Sequence, residues 1–152
     1  LDKNVARLKN DITRAGHKFG MNNVTATIGS IQLKHENEIL HRYTSNGKFY
    51  DKALQNVSGV SLVPYYANTE PSYWLYTVKV ENRDDFCRMM EERGIMASPL
   101  HHRSDTHSVF AESKCELPNM DKWYSQFVHI PSGWWVDMET REKIVDFIKR
   151  GW

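Results

Sequence analysis

Two short runs carry the residue types that can do chemistry. The first is Gly16-His17-Lys18-Phe19-Gly20-Met21-Asn22-Asn23, a turn-rich, cationic loop that stops at two good helix-capping residues. Loops of this design reach into other molecules; the alternative is that Lys18 is simply solvated. The second is His101-His102-Arg103-Ser104-Asp105-Thr106-His107, in which imidazoles, a guanidinium and a carboxylate crowd together. Such a mixture can hold zinc or iron. Its spacing fits no helix-borne metal motif, because His102 and Asp105 would share a helix face that His107 does not join. Cys115 is too isolated to complete a ligand set, so no metal site is assigned. Ser104 and Asp105 can equally do no more than shape a turn. A third group, Tyr65, Tyr66, Tyr73, Trp74 and Tyr76, offers rings for base stacking. Alternation through Tyr73–Val80 favours sheet core for it instead.

The elements that must position these runs follow from periodicity and capping. From Asn23, the residues Val24, Ala26, Ile28, Ile31 and Leu33 fit a helix buried on more than one side, with Asn22 or Asn23 capping its first turn. Leu1 to Ala15 reads as an extended arm or frayed helix. A second helix is expected from Glu36 to Gln55, with Ile39, Tyr43, Tyr50 and Leu54 on one face. Ser45-Asn46-Gly47 interrupts that pattern. Val60–Val63 leans to strand, and Asn68–Ser72 to loop. Tyr73–Val80 predicts a strand, Asn82 a cap for a helix through Arg93 with Gly94 ending it, and Ile95–Leu100 a returning strand. His101–Pro118 is a polar connection with a short helix at Ser108–Glu112. Met120–Gln126 follows as helix and Phe127–Ile130 as strand. A last helix, capped at Asp137, buries Ile144, Val145, Phe147 and Ile148. Trp134 and Trp135 cannot both point inward from an extended chain. The sum is an α+β layer, a small, mainly antiparallel sheet with helices on one face and the other face left for something outside these elements.

The bulk properties exclude several classes. The chain has 152 residues, enough for one domain with a real core. A net charge of +1 does not suit a nucleic-acid protein held by phosphate neutralisation. No apolar run approaches the length of a membrane span, so neither nucleic acid nor membrane is an expected partner. Cys87 and Cys115 are too few for a disulfide framework and suit a reduced, cytoplasmic setting. A chain that opens on Leu1 and meets its most distinctive motif at Gly16 is expected to be the rear part of a longer protein.

Four motifs in order then carry a resemblance. They are Gly16–Asn23 with Ala26-Thr27-Ile28-Gly29 and Gln32-Leu33; Tyr73–Val78 with Arg83-Asp84-Asp85-Phe86; His102–Phe110; and Ile130–Trp135 closing on Ile148–Trp152. Together they resemble the DegT/DnrJ/EryC1/StrS sugar aminotransferases from Ile12 onward. The resemblance implies the small C-terminal domain of a fold type I, pyridoxal-phosphate-dependent transferase. It divides the chain into 1–22, an arm and interface loop left from the large domain, and 23–152, the small domain. The implied reaction moves an amino group from an amino-acid donor onto a nucleotide-linked keto sugar, in a homodimer. The lysine that forms the cofactor's Schiff base lies upstream in the family, so no catalytic residue is assigned here and the chain alone is expected to be inactive. Lys18 and Asn22 are the implied contacts to the cofactor phosphate across the dimer interface. Gly20 departs from the family's usual Asn, Arg or His. His101, His102 and Arg103 are the implied substrate-facing residues, with Arg103 meeting a phosphate and the histidines a hydroxyl. Two rivals remain: a related dehydratase of keto sugars, and a stand-alone dimerisation or binding module.

Overall fold

The computed structural model describes residues 10–17 and 20–152. The chain runs through α1 (Asn23–Gln32), a 3-10 turn at Leu33–His35, and α2 (Glu36–Leu54). Next come β1 (Val60–Leu62), β2 (Tyr76–Val80) and α3 (Arg83–Glu92). After 3-10 turns at Ser104–Thr106 and Ser108–Ser113 come α4 (Pro118–Gln126), β3 (Phe127–Ile130) and α5 (Met138–Arg150). The three strands pair antiparallel in the order β1-β2-β3, with Val60 opposite Val80 and Val78 opposite Val128. This is the expected α+β class.

Side chains alternate across a pleated strand, so β2 sends Tyr76, Val78 and Val80 to one face and Thr77 and Lys79 to the other. The first face meets Tyr50 and Leu54 of α2, Phe86 and Met90 of α3, and Ile144 and Ile148 of α5 in a single buried cluster. The second face is covered at one end from within the chain. Phe127 is buried there, stacked on Trp123 of α4 (6.0 Å) with Tyr124 edge-on (5.3 Å).

Several expectations need correcting. The strand over Ile95–Leu100 shrinks to one bridge, Ser98 against His129, in which each N–H donates to the other's carbonyl (3.2 and 3.0 Å). Pro99 has no N–H with which to extend the ladder. The strand expected from Tyr73 starts only at Tyr76, because Tyr73 itself takes a positive φ of 53°. Asn82 precedes α3 without a side-chain cap; it adopts the left-handed conformation, and its carbonyl accepts from Asp85 and Phe86 N–H (3.0 and 3.1 Å). Gly94 ends α3 with φ of 74°, as expected. Helix α1 buries none of its residues: Val24, Ile28 and Ile31 form a stripe that stays 69, 57 and 53 % exposed. No element of the described residues lies against that stripe to cover it.

The interruption at Ser45-Asn46-Gly47 is not a break. Helix α2 passes straight through it, and the two unusual residues are docking points. Asn46 is buried, and its amide nitrogen donates to the carbonyls of Ser132 (3.3 Å), Gly133 (3.1 Å) and Val136 (3.0 Å). Its Oδ1 accepts from Arg141 of α5 (3.1 Å). Gly47 leaves room for the Tyr73 ring, whose Cγ lies 2.1 Å from where a Cβ would sit. One turn on, Asp51 accepts from the hydroxyls of both Tyr73 (2.6 Å) and Tyr76 (2.7 Å). Burial first, and then these bonds, push both phenols well above the ordinary tyrosine value. Trp135 lies over Gly133 and edge-on to Tyr43 (6.3 Å), while Trp134 also stays largely exposed.

Gly47→Ala separates packing from propensity. Alanine is the better helix former by about 1 kcal/mol, yet its methyl collides with a ring held from both ends. We expect a net loss of about 1–3 kcal/mol in urea denaturation. A gain in stability would show that Tyr73 does not rest on that position.

Candidate functional site

Lys18 lies outside the described residues. Of the two candidate caps it is Asn22 that caps α1: it precedes the helix in an extended conformation, and its Oδ1 accepts from Thr25 N–H (2.9 Å) and Thr25 Oγ1 (3.1 Å). That carbonyl is spent on the cap, which leaves the exposed amide NH2 as the group able to donate to an anion. Gly20 and Met21 beside it are exposed as well.

The histidine loop is organised by Arg103. Its guanidinium forms a fork with Asp105, Nε donating to Oδ1 (2.9 Å) and a terminal nitrogen to Oδ2 (2.6 Å). The other terminal nitrogen donates to Asp121 of α4, and the group sits over the Tyr124 ring (5.8 Å). Arg103 holds the Asp105 carboxyl below its usual range, and the two carboxylates raise the guanidinium in turn. In this arrangement all three of its nitrogens face protein carboxylates, so the run 103–105 is a closed turn clamped to α4.

The histidines disperse around that clamp. His102 shares a hydrogen bond between Nε2 and Thr106 Oγ1 (2.8 Å), and its buried Nδ1 has no partner. His107 is only 8 % exposed, packs edge-on to His102 (5.1 Å), and uses Nδ1 to accept from Ile12 N–H (3.2 Å). His101 alone turns toward open space, between Trp74 (6.2 Å) and His129 (5.4 Å). Those three rings, with Tyr65, Tyr73 and Thr77, line a cleft of about 450 Å3 on the second face of the sheet. Among the described residues no three metal-ligating side chains converge. No described helix is long and apolar enough to cross a membrane.

Two members of this cleft depart from what their sequence pattern favours. Trp74 was grouped with the sheet core but is exposed, because β2 begins only two residues later. His129 lies inside an apolar strand and looks like a core position. Its Nδ1 is 2.9 Å from Thr77 Oγ1 across the β2–β3 pair, a cross-strand contact that no local pattern reveals.

Residues 2–149 match the DegT/DnrJ/EryC1/StrS aminotransferase family. The chain belongs to that family. It is 34% identical over 111 residues to the dTDP-4-dehydro-2,3,6-trideoxy-D-glucose 4-aminotransferase of Saccharopolyspora spinosa, covering 66% of this chain and 29% of that protein. Its fold superposes on sugar aminotransferase CalS13 from Micromonospora echinospora with a TM-score of 0.84 and 36% identity, covering 90% of this chain and 37% of the other. AtS13 from Actinomadura melliaura gives 0.83 and 36%, covering 99% and 40%. The chain thus spans about a third of the length of the aminotransferases it matches.

Within this sugar-aminotransferase-like portion, His129 sets a pH dependence. Burial, with a smaller contribution from the charge of His101, pushes its imidazole down to about 4. An unfolded chain protonates that ring near 6.5, so it takes up the proton first as pH falls. Folding stability should therefore be complete above about 6.5 and decline as pH drops toward 4. Urea titrations across that window should show a flatter profile for His129→Gln. An unchanged slope would contradict the assignment.

Proposed function

We propose that this chain is the C-terminal portion of a pyridoxal-phosphate-dependent aminotransferase that transfers an amino group from an amino-acid donor to a nucleotide-linked keto sugar. The observation that carries the reading is the superposition on CalS13 over nine-tenths of the chain at 36% identity. On this reading residues 1–22 are an arm and interface loop, and 23–152 are the small domain. The protein works as a homodimer. The uncovered stripe Val24, Ile28 and Ile31 supports this, since an apolar helix face of that kind is a surface made for a neighbour.

Pyridoxal phosphate supplies the electron sink for amino-group transfer. The residues of this chain bind and orient around it. Asn22, with its free amide NH2 at the start of α1, fits a phosphate oxygen, and Lys18 adds a cation from the same loop. His101 faces the cleft and is the leading substrate contact, able to exchange a hydrogen bond with a sugar hydroxyl. His102, the second implied substrate contact, holds the turn through Thr106. Arg103 meets a substrate phosphate only by giving up a carboxylate, so its stronger role is to fix the loop that presents His101.

The test compares the 152-residue chain with a version extended upstream, incubated with pyridoxal phosphate and borohydride. The extended form should give a reducible cofactor absorbance and the short chain none. Asn22→Ala in the extended form should weaken cofactor binding about tenfold, the cost of one hydrogen bond to a charged group. Absence of cofactor binding by the extended form would overturn the reading.

A further inference from the structure

The segment leading into the Gly16–Asn23 loop is fastened to the histidine loop, some ninety-five positions further along the chain. Ile12 N–H donates to His107 Nδ1 (3.2 Å), and the Ile12 carbonyl accepts from Val109 N–H (3.0 Å). The Asp11 carboxylate accepts from Ser108 N–H (2.8 Å) and from the Ser108 hydroxyl. Its Oδ1 is also 3.7 Å from His107 Nδ1. Most of the Leu1–Ala15 segment, expected as an extended arm or frayed helix, lies outside the described residues, but Asp11 and Ile12 are docked by these contacts. The contacts join the two stretches by one backbone–backbone hydrogen bond and one backbone–imidazole bond, and a carboxylate caps the 3-10 turn at Ser108–Ser113 from outside.

The same loop is anchored on its other side by Arg103 to Asp121 of α4. The histidine loop is thus held at two points, one on the folded body and one on the arm. The Arg103 anchor lies within the body and involves no residue of the arm. The contacts of Asp11 and Ile12 tie the loop to the segment that precedes Gly16, and Asp11 is the one of the two that does so through its side chain.

We propose that Asp11 is a positioning residue that locks residues 11 and 12, ahead of the Gly16–Asn23 loop, to residues 107–109 at the end of the histidine loop. Naming both loops ligand-facing rests on the aminotransferase reading; the latch itself rests on the hydrogen bonds alone. Its function is to hold residues 11 and 12 against residues 107–109 before any ligand arrives.

Amide hydrogen exchange on the intact chain tests it. In Asp11→Ala, the Ser108 and Val109 amides and that of Ile12 should exchange together, about tenfold faster than in the parent. Amides of β2 and β3 should keep their protection and report that the domain stays folded. Asp11→Asn retains an acceptor for the Ser108 N–H and should restore most of the protection at Ser108, Val109 and Ile12 alike. Unchanged protection of Ser108 and Val109 in Asp11→Ala would overturn the latch, as would loss at Ile12 alone. Cofactor binding by the extended chain is a separate readout, so failure of the aminotransferase reading would be seen without any change in exchange.

Discussion

A single buried amide, that of Asn46, holds the parts of this domain in register. It projects from the middle of a long helix and satisfies carbonyls on the segment that joins β3 to α5, while its own carbonyl receives Arg141 from α5. A buried polar group costs free energy unless it is fully bonded, so the site tolerates little displacement. Beside it, Gly47 admits the Tyr73 ring, and Ser132 Oγ donates to the Tyr73 carbonyl (2.8 Å). Helix α2, the approach to β2 and the exit from β3 are therefore fixed at one place.

The functional surface inherits that rigidity. Once β2 and β3 are registered, Thr77 and His129 face each other across the strands, and the second face of the sheet presents them beneath His101 and Trp74. Helix α4 closes one end of this face with Trp123 and supplies Asp121, against which Arg103 anchors the histidine loop. The cleft is thus a product of sheet register and one ion-paired turn. The fold holds the cleft's side chains on a rigid frame.

Much of this was legible in the residues, and the boundary between what was and what was not is physical. Local chemistry read correctly: Asn22 and Asp137 both cap their helices through side-chain oxygens, and Gly94 turns the chain where a Cβ would object. The periodic faces of α2 and α5 read correctly because each packs on one side only. What failed were the cases where a distant residue decides, and one, Asn82, where the local backbone does. Asn46 and Gly47 look like a helix break until Tyr73 and residues 132–136 are placed against them. Trp74 resembles core until β2 is seen to start at Tyr76. Asn82 carries the right residue type for a side-chain cap but uses its backbone instead. Asp11 gives no signal at all, since its partner Ser108 is remote in sequence.

On the proposed reading the loop before α1 reaches the cofactor of a neighbouring subunit. Its most direct test is a crystal structure of the chain extended upstream and grown with pyridoxal phosphate. The account predicts a homodimer in which the Asn22 amide nitrogen lies about 3 Å from a phosphate oxygen bound by the other subunit. An ordered cofactor with Asn22 facing solvent in both subunits would contradict it.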